Sequence, residues 1–515
     1  MFELSRRHVI GSLALGAGIV AVTGVRGMQA ASAFARQEAQ IPTARVIRSR
    51  DGLLRARLVA LPGVADVGGR SVAGTSTYNG QFQGPTLVVR PGDRMRIRLV
   101  NRLSTPTNLH FHGFHVSPKG NQDNVYLSID PGHSYDYDVR IPEDHPGGLY
   151  WYHPHRHGYV DAQIWGGMAG LIVVEGGAAD LAPVRGLRRR LLSLRPVAFT
   201  DTGALLPKSP FSTVPQVDLV NNQLMPEISM RPGETQFWQV ANIAARMYYR
   251  FAVDGAELTV VERDGTMNWR SQDVDSVVLA PGNRVGLLVT APRRAGVFQV
   301  RQLGYYQADT IGEYAPAPLA TVRVEGAPAS SVTVPTVLAE RPAWLDAPVA
   351  RRRVLTLSQR TNGSPKPLFF IDGQMFDEIT MADVPQVQVG TVEEWVIRNA
   401  SSNAMGQPNE IHPFHIHVNG MAVIERGDWD PVTNRVSNRV AIDPVGEQDT
   451  ISVPWNGYLR FRSNFADYVG RSVYHCHIVI HEDLGMMGAF DIVHPDGSGV
   501  GPDQLLPSQM AGHGH

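Results

Sequence analysis

The stretch Thr86–Val100 reads TLVVRPGDRMRIRLV, and the order of its residue types decides the fold class. Residues 86–89 are β-branched or apolar, as in a buried strand. Pro91-Gly92 signals a turn, and from residue 94 onward basic and apolar side chains alternate. Successive side chains of a strand point to opposite faces, so the alternation predicts a second strand with one buried and one solvated face. The stretch therefore favours an all-β protein.

The same unit of turn, strand, Gly turn and strand occurs twice more along the chain. The three copies begin with turns at residues 79–81, 221–223 and 372–374, and they end at Asn101, Asn242 and Asn399. Their starts lie about 140 to 150 residues apart, within the usual size of one domain. We therefore predict three domains at residues 40–178, 179–330 and 351–495. A Gly-, Pro- and Ser-rich tail at 496–515 is predicted to be flexible.

Length and charge narrow the class of protein. The 515 residues are too many for one hydrophobic core, in line with several domains. The 47 Lys and Arg residues balance 48 Asp and Glu residues, so no basic field points to nucleic acid as a partner. No segment after the N-terminal region is long and apolar enough to span a bilayer, so we expect no membrane span in the mature chain.

The N-terminus has the three regions of an export signal. Arg6-Arg7 precedes an apolar stretch of about 15 residues, and the small residues Ala31-Ser32-Ala33 follow it. The paired arginines resemble a twin-arginine signal, whose pathway carries folded proteins. We predict a signal peptide at residues 1–35 and an exported protein, either periplasmic or extracellular. A plain secretory signal or an uncleaved anchor is the alternative.

The only cysteine of the chain lies in the segment Tyr474–Met486, which reads YHCHIVIHEDLGM. On a strand, His475 and His477 point to one face and Cys476 to the other, so one strand can bind metal on both faces. A single cysteine cannot form a disulfide within an exported chain, which favours a ligand role. Thiolate, imidazole and thioether donors suit copper, and Cys with two His and an axial Met is the pattern of a blue-copper electron-transfer site.

Four His-x-His pairs accompany this segment, and they are His110/His112, His153/His155, His415/His417 and His475/His477. A pair at i and i+2 on a strand presents both imidazoles on one face. Eight imidazoles are too many for one ion, but they suit a cluster of about three ions with open positions for a small ligand. Two pairs lie in the first repeat and two in the third. We therefore expect the first and third domains to meet and the middle domain to act as a spacer.

The remaining soft donors are His412, His481 and Met486. His412 lies three residues before His415, and a turn at Pro413 would aim it at a different metal. His481 follows Cys476 by five residues, and Met486 follows His481 by five, which suits ligands carried by one loop. Met487 is the competing axial ligand, and core packing is the alternative role for both methionines.

These motifs resemble the four copper signatures of the multicopper oxidases. The resemblance is carried by His110–Gly113, Trp151–His155, His412–His417 and His475–Met486. With the repeats it covers nearly all of the chain after the N-terminal signal, and it implies three cupredoxin domains, each a Greek-key β-sandwich, with four copper ions. It implies a type 1 copper at Cys476, His412, His481 and Met486. It implies a type 2 copper at His110 and His415, and a type 3 pair at His112, His153, His155, His417, His475 and His477.

The resemblance also implies the reaction. A reducing substrate would give single electrons to the type 1 copper, Cys476 would pass them to His475 and His477, and four electrons would reduce one O2 to two waters. Oxygen reduction needs protons, and carboxylates near the cluster are natural carriers. Glu482 resembles the acidic residue at that position in bacterial members, and Asp123 lies in the loop after the first His-x-His pair. A surface or turn role is the alternative for both carboxylates.

The sequence constrains the reductant less than the reaction. We expect a laccase-like oxidase of phenols or aromatic amines, with O2 as the acceptor. The alternative is a metal oxidase of Cu(I) or Fe(II) in metal tolerance. The 15 methionines are scattered, however, and form no methionine-rich insertion of the kind that cuprous oxidases often carry. A non-catalytic copper-binding scaffold is the third hypothesis, which the complete ligand set disfavours. The sequence predicts no oligomeric state.

Overall fold

The computed structural model describes residues 44–209, 214–310, 312–361 and 367–507. The predicted signal peptide at residues 1–35 lies outside these described residues. The described residues belong to one compact unit, and within it three β-sandwiches each enclose a large apolar core. Within the described ranges, the helices are all too short or too polar to cross a membrane.

The first sandwich packs a four-stranded sheet against a five-stranded one. Its strands are β1 (Val46–Arg48), β2 (Leu53–Val67), β3 (Arg70–Tyr78), β4 (Thr86–Val89), β5 (Arg94–Asn101), β6 (His110–His112), β7 (Ser134–Arg140), β8 (Gly148–His153) and β9 (Gly170–Val174). The sheet orders are β3-β2-β5-β7 and β1-β4-β9-β8-β6. Helix α1 (Val160–Gly166) precedes β9, and a 3₁₀ turn (Gly177–Asp180) follows it.

The middle sandwich packs a six-stranded sheet against a five-stranded one. Its strands are β10 (Arg189–Val197), β11 (Val217–Val220), β12 (Glu227–Met230), β13 (Thr235–Asn242), β14 (Tyr249–Val253), β15 (Glu257–Arg263), β16 (Thr266–Val274), β17 (Val277–Leu279), β18 (Arg284–Thr290), β19 (Gly296–Leu303), β20 (Tyr305–Ala308), β21 (Gly312–Tyr314) and β22 (Ala317–Val324). The sheet orders are β11-β10-β13-β18-β15-β16 and β12-β22-β19-β14-β17, and β20 pairs with β21 as a separate hairpin.

The third sandwich repeats the arrangement of the middle one. Its strands are β23 (Val349–Arg360), β24 (Leu368–Ile371), β25 (Gln386–Gln388), β26 (Thr391–Asn399), β27 (His412–Ile416), β28 (Ala422–Asp430), β29 (Arg435–Ala441), β30 (Thr450–Val453), β31 (Gly457–Phe465), β32 (Gly470–Cys476) and β33 (Met487–Val493). The sheet orders are β24-β23-β26-β31-β28-β29 and β25-β33-β32-β27-β30. Helix α2 (Val479–Asp483) lies between β32 and β33, and 3₁₀ turns occur at Ala343–Asp346, Phe376–Glu378 and Asn403–Met405.

The predicted all-β fold is confirmed, and Thr86–Val100 shows why the sequence specifies it. All four residues of β4 are buried, as expected for a strand covered on both faces. Along β5, the side chains of Met95, Ile97 and Leu99 are buried in the core between the sheets. The intervening arginines face outward, where Arg94 pairs with Asp138 on β7. Burial of one face and solvation of the other therefore fix the register of this strand.

The first turn of each repeat has a structural cause. Asn79, Asn221 and Asp372 all have positive φ, at 58°, 52° and 53°. The residue after each of them also has positive φ, at 77°, 59° and 81°. Two consecutive residues with positive φ make the tight turn that matches the twist of a β-hairpin, and Asn, Asp and Gly adopt this conformation most readily.

The last residue of each repeat is a buried asparagine that holds a loop against the strand. Asn101, Asn242 and Asn399 are fully buried. Each side-chain amide donates to two backbone carbonyls and accepts the backbone N–H two residues later. In the third domain the two carbonyls belong to Glu410 and Val453, so Asn399 holds the chain directly before His412.

The tail that the sequence predicts to be flexible has two buried residues in its described part, residues 496–507. Gln504 is buried, and its amide group donates to the carbonyls of Pro118 and Arg471 and accepts the Arg471 N–H. Leu506 is fully buried in an apolar cluster that includes Tyr126. Composition alone did not reveal these contacts, because one amide and one leucine provide them. Residues 508–515 lie outside the described residues.

Candidate metal centre

Four strands bring the His-x-His pairs together. In the first domain β6 pairs with β8 so that His110 lies opposite His153. In the third domain β27 pairs with β32 so that His415 lies opposite His475. All eight imidazoles are buried. Rings of the two domains stack face to face, with centroids 4.0 Å apart, in the pairs His110/His417 and His112/His415. The first and third domains therefore meet at these eight rings, as the sequence predicted.

Strand alternation separates two sets of donors on the sheet that contains β27 and β32. The register places Phe414 opposite Cys476. Because neighbours along a strand face opposite ways, His412 lies on the face of Phe414 and Cys476, and His415 lies on the other. The predicted turn at Pro413 is wrong, because residues 412–416 form one continuous strand. Alternation alone aims His412 away from His415.

The Cys476 face holds three converging donors. Cys476 Sγ lies 3.5 Å from His412 Nδ1 and 3.7 Å from His481 Nδ1. The other nitrogen of His412, Nε2, lies 2.8 Å from Ser401 Oγ. The His481 ring is carried by α2 and stacks on Phe369 with centroids 3.9 Å apart. Both rings are thus held with Nδ1 toward the sulfur.

The structure distinguishes the two neighbouring methionines. Met486 is fully buried in the same core as Cys476. Its carbonyl accepts the Cys476 N–H at 3.1 Å, and its own N–H donates to the His481 carbonyl at 2.8 Å. Met487 lies opposite His475 in the register of β32 and β33 and packs in a different apolar cluster. Met486 is therefore the thioether on the Cys476 side of the strand.

On the opposite face, imidazole nitrogens converge in two groups of three. In one group, His475 Nε2 lies 3.1 Å from His155 Nε2 and 3.2 Å from His417 Nε2. In the other group, His112 Nδ1 lies 3.5 Å from His153 Nε2 and 3.2 Å from His477 Nε2. Lone pairs that face one another repel unless a proton or a cation lies between them. A metal ion in each group would use all three nitrogens at once.

The last two rings of the cluster, His110 and His415, each have one nitrogen that lacks a hydrogen bond. Among the described residues, His110 Nε2 and His415 Nε2 are buried without a partner. His110 Nδ1 lies 2.9 Å from Asp123 Oδ1, and His415 Nδ1 lies 2.7 Å from the Asp449 carbonyl oxygen. A ring that donates from Nδ1 keeps its lone pair on Nε2, the tautomer that binds a metal. The two unsatisfied nitrogens therefore fit a third metal position.

The protonation of these groups also fits a metal site. Burial lowers the pKa of six histidines well below its usual range, and these are His110, His112, His153, His417, His477 and His481. Neutral imidazole is the form that ligates metals. Burial raises the pKa of the Cys476 thiol well above its ordinary value. A cation at the sulfur would offset that effect, because the thiolate is the ligating form. The donor set is therefore suited to copper.

Three models of multicopper oxidase domains match the chain, over residues 65–179, 195–327 and 350–496. The chain belongs to the multicopper oxidase family. This membership confirms the resemblance drawn from the His and Cys motifs and makes the protein an oxidoreductase. The family implies copper as the metal, O2 as the acceptor and a reducing substrate as the donor.

This multicopper oxidase is similar to characterised proteins along most of its length. A laccase of Bacillus subtilis is 24% identical over 482 residues, covering 81% of this chain and 90% of that protein. A multicopper oxidase of Staphylococcus haemolyticus is 23% identical over 457 residues, covering 87% of this chain and 90% of that protein. The structure of a Campylobacter jejuni multicopper oxidase, a metallo-oxidase, aligns with a TM-score of 0.71 at 24% identity, over 88% of this chain and 96% of that one. These names point to different reductants on one fold.

Both carboxylates predicted near the cluster touch it, so the surface role is wrong for each. Asp123 is buried against His110, and burial raises the pKa of its carboxyl to about 8. Glu482 is fully buried, with its oxygens 3.1 Å from His475 Nδ1 and 3.6 Å from His155 Nδ1. Burial alone would raise the pKa of Glu482, but these two imidazoles bring it down to about 2.

Asp449 is a contact of the cluster that the sequence did not reveal. Its Oδ1 lies 3.1 Å from His112 Nε2, and its carbonyl oxygen accepts from His415 Nδ1. Burial opposes ionisation of Asp449, but Arg284 and His415 hold the pKa of its carboxyl well below the usual range. The residue lies one position before β30 and far from every His-x-His motif in sequence. No spacing rule could have singled it out.

The middle domain is more than the spacer that the sequence predicted. Its Arg284 binds both oxygens of the Asp449 carboxylate, at 3.0 and 2.6 Å. At Gly282, which has φ of +92°, a Cβ atom would lie 3.1 Å from His112 Cε1 and from His477 Cδ2. Glycine suits this position, because the positive φ disfavours other residues and a Cβ would press on both rings. The middle domain thus forms part of the wall of the metal centre.

Glu410 was also missed, although it lies only two residues before His412. Its Oε1 lies 3.6 Å from His481 Nε2 and 3.6 Å from Arg246 Nη2 of the middle domain. Burial raises the pKa of Glu410 to about 7. The only signal in the sequence was its closeness to His412. Its contact with His481 depends on the fold, because the two residues are 71 positions apart.

Proposed function

We propose that this multicopper oxidase couples the one-electron oxidation of phenols or aromatic amines to the four-electron reduction of O2 to water. The observation that carries the proposal is the position of Cys476 between two donor sets. Its sulfur faces His412 and His481 on one side of the sheet. Its chain neighbours His475 and His477 join the imidazole groups on the other side.

The proposed assignment uses four coppers. The type 1 copper would be held by Cys476, His412, His481 and Met486. The type 2 copper would be held by the unsatisfied nitrogens of His110 and His415. The type 3 pair would be held by the two converging groups, His112/His153/His477 and His155/His417/His475. When bound, copper supplies the one-electron redox chemistry and the affinity for O2.

The protein contributes a covalent route for electrons. Cys476 shares peptide bonds with His475 and His477, so the two donor sets are connected through adjacent backbone units. The Cys476 N–H also donates to the Met486 carbonyl, and the His477 N–H donates to the Pro413 carbonyl. These hydrogen bonds fix the segment in one conformation. The reductant and O2 therefore react at separate places, which keeps partly reduced oxygen away from the substrate.

Protons would reach the cluster through Asp123 and Glu482. Proton transfer to reduced oxygen requires groups that can release a proton near the site. Asp123 contacts the ring of His110, a proposed type 2 ligand, and Glu482 contacts His475 and His155, two type 3 ligands. The two carboxyl groups thus serve different coppers of the cluster. We expect Asp123, whose pKa is raised to about 8, to hold and release a proton, and the ionised Glu482 to accept protons at its own position.

The surroundings of the Cys476 site favour an aromatic reductant. Tyr305 stacks on Tyr248 with centroids 5.2 Å apart, and Trp455 packs in the same apolar cluster as Ile411, beside His412. A cavity of about 520 Å³ is lined by Tyr305 and Ile411 together with the charged side chains of Arg426 and Asp428. Aromatic rings pack well on such a surface through stacked and edge-to-face contacts.

Oxidation of Cu(I) or Fe(II) is the second candidate function. It is favoured by the Glu410 carboxylate 3.6 Å from His481 Nε2, since carboxylates bind metal ions. Arg246 lies at the same distance from Glu410, and its positive charge opposes a cation there. We therefore rank the aromatic reductant first. The non-catalytic scaffold ranks last, because every copper-ligand position is filled.

We also propose that the protein is exported by the twin-arginine route. The paired Arg6 and Arg7 support this proposal, because they resemble the signal that the twin-arginine route recognises. This route carries proteins that have already folded. Arg6→Lys/Arg7→Lys, fused to a reporter active only after export, should lose reporter activity. An unchanged reporter signal would contradict the twin-arginine assignment.

The test of the substrate class is oxygen uptake by the copper-loaded protein with three reductants at matched concentrations: a phenol, Cu(I) and Fe(II). The proposal predicts the largest kcat/KM for the phenol. Faster uptake with a metal ion, and loss of that uptake in Glu410→Gln, would favour the metal oxidase. No uptake with any of the three would contradict the oxidase function itself.

A further inference from the structure

One buried arginine of the middle domain uses every donor of its guanidinium group. Arg284 begins β18 and is almost fully buried. Its Nε donates to the Leu149 carbonyl of the first domain, and its Nη atoms donate to the carbonyls of Gly282 and Asp264 and to both oxygens of Asp449. Its plane also lies over the Tyr150 ring, 5.6 Å from the centroid. All three domains therefore meet at this side chain.

Asp449 connects Arg284 to the imidazole cluster. Its Oδ1 lies 3.1 Å from His112 Nε2 and accepts from Thr450 Oγ1 at 2.8 Å. Its carbonyl oxygen accepts from His415 Nδ1 at 2.7 Å. Asp449 thus contacts two rings of the cluster. One is His112, of the His112/His153/His477 group, and the other is His415, whose Nε2 has no hydrogen-bond partner among the described residues. The carboxylate itself touches both rings, because Oδ1 lies 3.1 Å from His112 Nε2 and 3.5 Å from His415 Nδ1.

The tautomer of His112 depends on this contact. The other type 3 ligands direct Nε2 into the cluster, whereas His112 directs Nδ1 toward His153 and His477. A proton on Nε2, donated to the Asp449 carboxylate, leaves the lone pair on Nδ1. Arg284 in turn holds Asp449 by donating to both carboxylate oxygens from its planar guanidinium group. The ammonium group of a lysine could not provide this bidentate geometry.

We propose that Arg284 is a positioning residue for the trinuclear copper cluster, acting through Asp449 on the orientation of His112 and His415. This inference rests on the proposed function, in which these rings hold the type 2 copper and one type 3 copper. Within the described ranges, the side-chain hydrogen bonds of Arg284 go to Asp449 and to backbone carbonyls and not to the ligands, so Asp449 transmits its geometry to them. The middle domain therefore contributes to copper retention as well as to the shape of the protein.

The chain offers a matched control in Arg195. It is a nearly fully buried arginine on β10 of the same six-stranded sheet, and it also joins the middle domain to the first. Its hydrogen bonds go to the carbonyls of Phe82, Ile164 and Trp165, and its plane lies 4.3 Å from the Phe82 centroid. Arg195→Lys should weaken domain packing as Arg284→Lys does, without any effect on the histidines.

The experiment compares copper per chain, the type 2 electron paramagnetic resonance signal, the blue absorption and the unfolding midpoint of the copper-free protein. We expect Arg284→Lys to bind cluster copper about 10- to 100-fold more weakly, with an altered or lost type 2 signal and a retained blue absorption. Arg195→Lys should lower the unfolding midpoint but keep its copper and its type 2 signal. Asp449→Asn, which keeps side-chain size, should lose cluster copper as Arg284→Lys does, and it serves if Arg284→Lys does not fold.

Two results would overturn the inference. One is full cluster copper with an unaltered type 2 signal in Arg284→Lys, or in Asp449→Asn if only that variant folds. The other is an equal loss of copper in Arg195→Lys, which would show a general effect of domain packing. A wild-type protein that binds no cluster copper would instead contradict the proposed function, so the two failures are distinguishable.

Discussion

Phe414 lies directly opposite Cys476 in the antiparallel register of β27 and β32. This single pairing puts His412 on the sulfur side of the sheet and His415 on the imidazole side. A shift of β27 by one residue would put His412 on the imidazole side and His415 on the sulfur side, and so mix the two sets of donors. The two metal centres are therefore separated by the pleat of one sheet, and the variants below test each side of it.

Ser401 and Ser402 test how the ring of His412 is held. Both serines are fully buried, but only Ser401 Oγ contacts His412 Nε2, at 2.8 Å. Ser401→Ala removes the group that orients the ring, so we expect type 1 copper affinity to fall about 10- to 100-fold. Ser402→Ala is the control, because Ser402 Oγ has no hydrogen-bond partner among the described residues. Copper titration followed by blue absorption measures the effect. Equal losses in both variants would refute an orienting role for Ser401.

Met486 and Met487 test the axial ligand. Replacing the thioether of Met486 by the apolar side chain in Met486→Leu should raise the reduction potential of the type 1 copper, because the axial ligand tunes such sites. Met487→Leu should leave the potential unchanged, since Met487 lies opposite His475 on the other face. Both are volume-conserving changes that should cost less than about 1.5 kcal/mol of stability. Redox titration of the blue absorption is the measurement, and a potential that moves only in Met487→Leu would reverse the assignment.

Asp123 tests the supply of protons. Asp123→Asn keeps the size of the side chain but removes its exchangeable carboxyl proton, so we expect turnover with O2 to fall by about 10²- to 10⁴-fold. Anaerobic reduction of the type 1 copper should stay at the wild-type rate, because Asp123 contacts His110 on the oxygen side of the sheet. Asp136→Asn, at an exposed carboxylate on β7, is the control. A slowed anaerobic reduction in Asp123→Asn would place its role elsewhere.

Glu410 predicts a pH dependence of stability in the copper-free protein. Burial raises the pKa of Glu410 from 4.5 to about 7, so the folded state holds its proton more tightly than the unfolded state. The contribution of this group to stability is therefore complete below about pH 4.5 and is lost as the pH rises to about 7, by an amount on the order of 3 kcal/mol. Glu410→Gln should show a smaller loss of unfolding midpoint between pH 5 and pH 8 than wild type. The exposed Glu257→Gln is the control. A loss in Glu410→Gln as large as in wild type would contradict the prediction.

The sequence predicted most of the metal centre because its ligands are carried by local motifs. Each His-x-His pair starts on a strand, although His155, His417 and His477 lie just beyond the strand ends. The i, i+2 spacing was enough to predict that each pair shares a face, and Cys476 between two histidines indicates that two faces are used. The alternation in Arg94–Val100 predicted the burial of β5 in the same way. These features depend on residues that are neighbours in the chain, so the pattern of the sequence is sufficient to reveal them.

The parts that the sequence could not reveal depend on contacts between distant segments. Asp449 meets His112 across 337 positions, and Arg284 meets Asp449 across 165. The middle domain carries none of the copper motifs, so no sequence motif indicated that it forms part of the wall of the metal centre. The contact of Gln504 with Arg471 had no signature for the same reason, since only the fold brings the two residues together.

The most direct test of the account is the electron stoichiometry of oxygen uptake in the wild type and in Cys476→Ser. We predict that the copper-loaded wild type oxidises four equivalents of a one-electron phenolic donor for each O2 consumed, without release of hydrogen peroxide. Cys476→Ser should lose the blue absorption and the turnover while it keeps the copper bound by the eight histidines. Two equivalents of donor per O2 with release of peroxide, or blue absorption that survives in Cys476→Ser, would contradict the account.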